Sequence, residues 1–351
     1  MTPHYSKIHN RFKLNGFFYN ANDLLLLANS FIKEGEEFQH EIGVFILDWL
    51  DDNDFIVTQT SGTTGKPKAI KIQKQAMVNS AIATGDFFAL QPGNSALHCL
   101  PSKFIAGKMM LVRAFVLGLE IDLVSPQGKI EIDPKMYDFA AMVPLQVENN
   151  FEQLSSIKTL IIGGAQPNIQ LVSRLQKLAS LKAYETYGMT ETITHIAAKE
   201  INSDFFQVLP EISIYKDERD CLVIDAPRIT SEKIITNDLV EIVSDNQFKW
   251  LGRIDNVINS GGVKLFPEQI EKKLQPYIAN RFFISSETDD KLGNKIILVI
   301  EQESNDFDTS IFNTLERYEK PKEIYFTKKF SETKTGKINR NETLKKVRTA
   351  R

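Results

Sequence analysis

From residue 55 onward, short apolar runs alternate with amphipathic stretches, and this alternation predicts an α/β fold. Residues 96–100, 121–124, 140–143, 157–162 and 182–187 read as strands, the last two running into Gly163-Gly164 and Gly188. Residues 104–117 read as a helix, and 168–179 carry Ile169, Val172, Leu175 and Leu178 at helical spacing. Such alternation argues for a largely parallel sheet, whose ligands gather at the carboxyl ends of its strands. Ahead of it, 21–31 and 38–50 look helical. After about Glu200 the texture changes to shorter strands with charged turns, as far as Trp250. Gly252-Arg253-Ile254-Asp255 and Ser260-Gly261-Gly262 follow and read as a hinge. Beyond them, 267–274 and 311–318 read as helices and 282–284 and 296–300 as strands. The expected boundary falls at Asp255, giving a large unit 1–254 and a small α+β unit 255–351.

Composition changes this picture little. A chain of 351 residues suits two units of the usual ~100–200 residues. Its 42% hydrophobic and 25% charged residues are ordinary for a globular core. A net charge of −3 with scattered basic residues leaves no nucleic-acid footprint. The short Lys345-Lys346-Val347-Arg348 run reads as a solvated tail. No window approaches the ~18 uninterrupted apolar residues of a spanning helix. The first residues lack the apolar stretch of a signal peptide. A cytoplasmic protein with neither membrane nor nucleic acid as partner is therefore expected. Cys99 and Cys221 sit among apolar neighbours and read as reduced core residues.

Candidate chemistry concentrates in a few segments. Thr60-Ser61-Gly62-Thr63-Thr64-Gly65-Lys66-Pro67-Lys68 holds four hydroxyls, two glycines and two lysines between two extended runs. Converging N–H groups, hydroxyls and a lysine suit phosphate oxygens. The spacing is not that of a Walker loop, and read alone the segment serves equally as a polar hairpin turn. Gly163-Gly164-Ala165 lets a flat ring approach the backbone. Tyr187-Gly188-Met189-Thr190-Glu191-Thr192 offers an aromatic face, hydroxyls and a carboxylate. Asp238 lies beside a turn, and Lys337 in Thr335-Gly336-Lys337. Taken singly, each has a structural reading as a turn or a solvated side chain, and Glu191 with His195 makes only a weak metal pair.

In this order, the TSGTTGKPK loop, the YGMTE box, the Gly252-Arg253-x-Asp255 hinge and the terminal Thr335-Gly336-Lys337 resemble the acyl-adenylate-forming superfamily. That group contains acyl-CoA synthetases, adenylation domains of peptide synthetases and luciferases. The resemblance covers roughly residues 55–345. It implies a trimmed α/β domain of that type with a small mobile C-terminal domain, using ATP, Mg²⁺ and CoA. Thr60 to Lys66 (Ser61, Gly62, Thr63, Thr64 and Gly65 between them) are expected to close over the ATP phosphates. Gly164, Ala165, Tyr187 and Gly188 are expected around adenine, and Asp238 with Arg253 at the ribose. Thr190 is expected at the α-phosphate, and Glu191 at Mg²⁺. Asp255 is the expected hinge, Ser260-Gly261-Gly262 the path for CoA, and Lys337 the catalytic cation between substrate carboxylate and α-phosphate.

The chain departs from that pattern in four ways, one of them being Ala69 where glycine is frequent. It is shorter than most members ahead of the phosphate loop, so a second subunit is expected to cover the flank in a homodimer. Asn237 stands where glycine is common, which asparagine's tolerance of left-handed backbone permits. Phe104 replaces the acyl-gate histidine, leaving no residue there to carry a histidine-dependent step. Within the superfamily, residues 101–113 look most like the short o-succinylbenzoate–CoA ligases of menaquinone biosynthesis. Phe104, Ala106, Gly107, Met110 and Arg113 are the expected acyl-site residues. A cation among small and apolar residues suits an acid with a second carboxylate. The alternatives are an adenylating enzyme for another aryl or fatty acid, one that loads a carrier protein, and a silent nucleotide-binding homologue.

Overall fold

Asn20 opens the first helix, α1 (Ala21–Glu34). Its side chain accepts from the N–H groups of Asn22 and Asp23, and Asp23 reaches back to the Asn20 N–H, forming a capping box. α2 (Glu37–Leu50) packs on α1 and buries Phe45, Ile46 and Trp49. The computed structural model describes residues 2–59, 69–303, 306–332 and 338–349. Strands Phe55–Gln59 and Ala69–Gln73 form an antiparallel pair, with Gln59 opposite Ala69. α3 (Lys74–Phe87) and α4 (Ile105–Leu117) then pack together inside the main core. At Gly107 any Cβ would stand 2.3 Å from the Pro101 carbonyl oxygen. Glycine there lets α4 start tight against the turn that enters it.

Among the described residues the main sheet has thirteen strands. Its parallel half runs in space Lys13–Leu14, Glu120–Leu123, Ser95–His98, Tyr137–Met142, Ile157–Ile162 and Lys182–Gly188. α5 (Pro144–Asn149) and α6 (Ile169–Leu175) follow two of these strands. The parallel expectation holds only this far. His195–Glu200 returns antiparallel, and so does each pair outward to Ser213–Lys216. The links here are short, and a parallel crossover needs a dozen or more residues.

After Arg253 the chain builds a hairpin of Ile258–Ser260 and Val263–Leu265, then α7 (Pro267–Leu274). A three-stranded sheet follows, made of Phe282–Asp289, Gly293–Glu301 and Glu323–Thr327. The helix expected over 311–318 is a short 3₁₀ turn, Thr309–Thr314. The expected solvated tail is in fact α8 (Arg340–Thr349), whose Leu344 and Val347 pack with Phe283, Val299 and Phe330. Two apolar residues at helical spacing among many charges gave too weak a pattern to read. Cys99 and Cys221 are buried free thiols, as expected.

His98 ends a central strand, wholly buried, with Nε2 and the Ser102 hydroxyl 3.0 Å apart. Burial holds its imidazole down to about 4. Unfolding at pH below 6.5 therefore takes up a proton, so this stability is whole above pH 6.5 and lost as pH falls toward 4, about 3 kcal/mol in all. Glu271 works in the opposite sense: burial pushes its carboxyl up to about 7, against the pull of Arg340. Urea unfolding of the protein and of His98→Gln, compared at pH 7, 5.5 and 4, isolates the His98 part. The gap between the two curves is expected to narrow on acidification. A constant gap assigns the acid sensitivity elsewhere.

Candidate active site

Strands Ile157–Ile162 and Lys182–Gly188 lie side by side, and their carboxyl ends open into a cleft of about 320 Å³. Gly164, Ala165, Tyr187, Gly188 and Asp238 line it, so these expected residues do meet. Trp250, which the sequence did not single out, lines it too. The Tyr187 ring stands edge-on to Phe248 at 5.3 Å, and Phe248 stacks on Phe206. Its hydroxyl donates to Asp238 Oδ2 at 2.7 Å, and Trp250 Nε1 donates to Asp238 Oδ1 at 3.1 Å. Burial, with Asp238 beside it, pushes the Tyr187 phenol up, so it stays a proton donor. Arg253 reaches Asp238 Oδ1 at 3.8 Å and Asp255 at 3.3 Å. Asn237 also donates to Asp255 at 3.4 Å, which gathers the expected ribose acid, its arginine and the hinge acid in one place.

Past Gly188 the chain makes a 3₁₀ turn, Thr190–Thr192, with Glu191 exposed. Ile193 follows at φ +66°, ψ −57°, while the Thr194 N–H donates to the Thr192 carbonyl at 2.7 Å. This is a γ-turn, a strained conformation for any residue and more so for a β-branched one. Strain of this kind collects where geometry matters for function. The turn separates Glu191 from His195, which is wholly buried, so the weak metal pair does not form on a helix face. Among the described residues no three His, Cys, Asp or Glu side chains gather to hold a metal. Glu191 offers one exposed carboxylate, which fits a magnesium ion that draws its other ligands from phosphates and water.

Thr194 connects this turn to α4. Arg113, 2% exposed, donates from Nη2 to the Thr194 hydroxyl at 3.1 Å and approaches Met110 Sδ at 3.6 Å. Among the described residues its buried Nε has no hydrogen-bond partner and the guanidinium has no ion-pair partner. Burial pushes the guanidinium down to about 9, still protonated at neutral pH. The Thr84 hydroxyl donates to the Ser80 carbonyl, so it accepts from His195 Nε2–H at 3.4 Å. That tautomer, assigned from the network, leaves His195 Nδ1 to accept from the Thr194 hydroxyl at 3.2 Å. Burial, then the neighbouring Arg113, holds His195 well below its usual range. The chain of donors runs one way, from Arg113 to Ser80, and fixes one end of the guanidinium. Of the other expected acyl-site residues, Met110 and Gly107 are buried, while Phe104 and Ala106 are exposed at the start of α4. Arg113 and Met110 do not line the 320 Å³ cleft and lie behind the γ-turn instead.

Ser260, Gly261 and Gly262 form the end of the Ile258–Ser260 hairpin, with φ +56° and +81° at the glycines as a two-residue turn requires. They do not line the 320 Å³ cleft. α7 closes the cleft from the other side: Gln269 donates to the carbonyls of Trp250 and Leu251, and Lys272 pairs with Asp204 at 2.6 Å. Thr60, Ser61, Gly62, Thr63, Thr64, Gly65, Lys66 and Lys337 lie outside the described residues. Among the described residues no helix is long and apolar enough to cross a membrane.

A sequence profile of the family described as AMP-binding enzyme matches residues 28–213. Two relatives named 2-succinylbenzoate–CoA ligase, from Listeria monocytogenes serovar 1/2a and Salmonella typhimurium, are each 25% identical. The alignments take in 81% and 86% of this chain and 68% and 70% of the relatives. The crystal structure of an acyl-CoA synthetase (AMP-forming)/AMP-acid ligase II-like protein from Dyadobacter fermentans is 37% identical, with a TM-score of 0.62. That match spans 92% of this chain and 98% of the other, so a chain of similar length adopts the same fold. An o-succinylbenzoate coenzyme A synthetase from Bacillus subtilis, solved with ATP and magnesium, is 19% identical with a TM-score of 0.69, over 82% of this chain and 69% of that one. At that identity the likeness speaks for the fold alone.

Proposed function

The chain belongs to the AMP-binding enzyme family, and from that premise we propose that it is an ATP-dependent acid–CoA ligase acting on o-succinylbenzoate. A carboxylate is a poor electrophile, so activation comes first: its oxygen attacks the α-phosphorus of ATP and the bond to pyrophosphate breaks. A CoA thiol then attacks the acyl carbon, loses its proton and displaces AMP. Joining two anions needs positioning and positive charge more than a base.

In this reading the 320 Å³ cleft takes adenosine, with Tyr187 and Gly164-Ala165 around the base and Asp238 at the sugar. Thr190 meets the α-phosphate, and Thr60 to Lys66 close over the rest. Glu191 would hold Mg²⁺, which would supply charge neutralisation for the phosphates. Residues 255–351 act as the mobile unit, turning about Asp255 to bring Lys337 in for the first step and Ser260-Gly261-Gly262 toward the thiol for the second. Such alternation is a hinge motion in which different residues complete each half-site.

One observation carries the choice of acid. Arg113 is a buried cation with an unpartnered Nε and no carboxylate partner among the described residues. Burying an unpaired charge costs several kcal/mol, and a ligand carboxylate seated there would offset that cost. A dicarboxylic acid such as o-succinylbenzoate provides one carboxylate to activate and one for Arg113. The test is a panel of o-succinylbenzoate, benzoate and medium-chain fatty acids with ATP, with and without CoA. AMP release is expected with o-succinylbenzoate and CoA, and only weak turnover with the monoacids. Turnover with a fatty acid but not with o-succinylbenzoate would sink the substrate assignment.

A further inference from the structure

Asp238 and Trp250 sit on neighbouring antiparallel strands whose register slips. Asp238 faces Arg253 and Leu239 faces Gly252, but Val240 faces Trp250, so Leu251 is an extra residue. In a regular strand, residues three apart point to opposite faces. The bulge removes that alternation and lets Arg253 and Trp250 approach the same carboxylate, and bulges re-aim side chains in this way. The strand end is then fixed from outside by Gln269, whose amide donates to the Trp250 and Leu251 carbonyls at 3.2 and 2.9 Å. Trp250 lines both the 320 Å³ cleft and a second one of about 520 Å³.

The bond count at Asp238 is informative. A carboxylate offers about four lone-pair sites. Tyr187 occupies one on Oδ2 and Trp250 one on Oδ1, each with a neutral donor. Among the described residues one site per oxygen stays open, and two open acceptors side by side match two vicinal hydroxyls. We propose that Trp250 is a positioning residue that locks the Asp238 carboxylate so that both its oxygens meet the 2′- and 3′-hydroxyls of a ribose. Without the indole N–H, Oδ1 is free to rotate toward Arg253 at 3.8 Å. The carboxylate then meets one hydroxyl well and the other poorly. The inference rests on the nucleotide reading above.

The test is calorimetric binding of ATP, 2′-deoxyATP and 3′-deoxyATP to the protein, to Trp250→Phe and to Trp250→His. The unaltered protein is expected to bind each deoxy analogue about tenfold more weakly than ATP, the scale of one hydrogen bond to a charged group. In Trp250→Phe, ATP affinity should fall about tenfold and discrimination between the nucleotides should shrink to about twofold. Trp250→His, which keeps a ring N–H, should recover part of the discrimination. A merely structural tryptophan would weaken all three nucleotides equally, and unchanged discrimination in a folded Trp250→Phe overturns the proposal. If the unaltered protein binds no ATP, the nucleotide reading itself falls. These two failures are distinct.

Discussion

Lys337→Ala is expected to slow acyl-adenylate formation by roughly 10³-fold while leaving ATP binding nearly unchanged, the scale of losing a group that stabilises charge only in the transition state. The substrate carboxylate and the α-phosphate are both anionic, and their approach builds negative charge on the five-coordinate phosphorus. On the proposed function, a lysine placed between them would lower that barrier directly, and an ammonium is a compact point charge suited to the role. Pyrophosphate release in a single turnover measures the first step. Thioester formation from synthetic acyl-adenylate and CoA measures the second, which should change less than about threefold because no phosphorus is attacked there. Lys334→Ala, three residues earlier, is the control for a general loss of positive charge. Adenylate formation at the normal rate in Lys337→Ala would show that another group carries the charge. Equal loss in both steps would point to a structural role for the lysine.

That prediction rests on sequence alone, which shows where the residues speak for themselves and where they do not. The strand Ile157–Ile162 and helix α7 begin and end where their apolar patterns say, because a continuous buried run and a clean amphipathic stripe leave few alternatives. Helix α3 gave no such signal. Lys74, Ser80 and Thr84 are as buried there as Met77 and Val78, so polar and apolar positions do not separate by face. Lys74 is tolerated inside because Asp51 pairs with it at 2.6 Å. Helix α6 stops at Leu175, short of the expected end, since the following residues turn before the next strand.

The candidate site divides in the same way. Gly164, Tyr187, Gly188 and Asp238 were legible because short motifs carry them, and the fold brings them into one cleft. Trp250 and Thr194 were not, and His195 was read only as a weak metal partner of Glu191. Trp250 reaches Asp238 only through a strand bulge, and Thr194 reaches Arg113 only through the γ-turn at Ile193. Register slips and left-handed backbone at a β-branched residue leave no mark in composition or periodicity. Arg113 was legible as a cation on a helix, but not its isolation: a surface bridge and a buried unpaired charge look alike in sequence. The buried placement excludes the surface bridge.

Arg113→Met should separate substrate recognition from stability. If Arg113 receives the second carboxylate, kcat/KM for o-succinylbenzoate should fall about 10²–10³-fold, as when one partner of a buried charge pair is removed. Benzoate, with no second carboxylate, should be affected less than about threefold. The unfolding midpoint should hold or rise, because methionine fills a similar volume beside Met110 and relieves a buried charge that has no ion-pair partner among the described residues. Thr194 would lose one donor but keep its own bond to His195 Nδ1. Arg113→Lys tests geometry: it keeps the charge but lacks the planar fork, and should recover only part of the lost activity. A structural arginine predicts the reverse pattern, with lower stability and an equal loss on every acid. Gain in stability with selective loss on the dicarboxylate is the result that only a recognition role produces, since strain kept for function is what a stabilising substitution removes. Urea unfolding and the two-acid rate comparison on the same preparations decide between them.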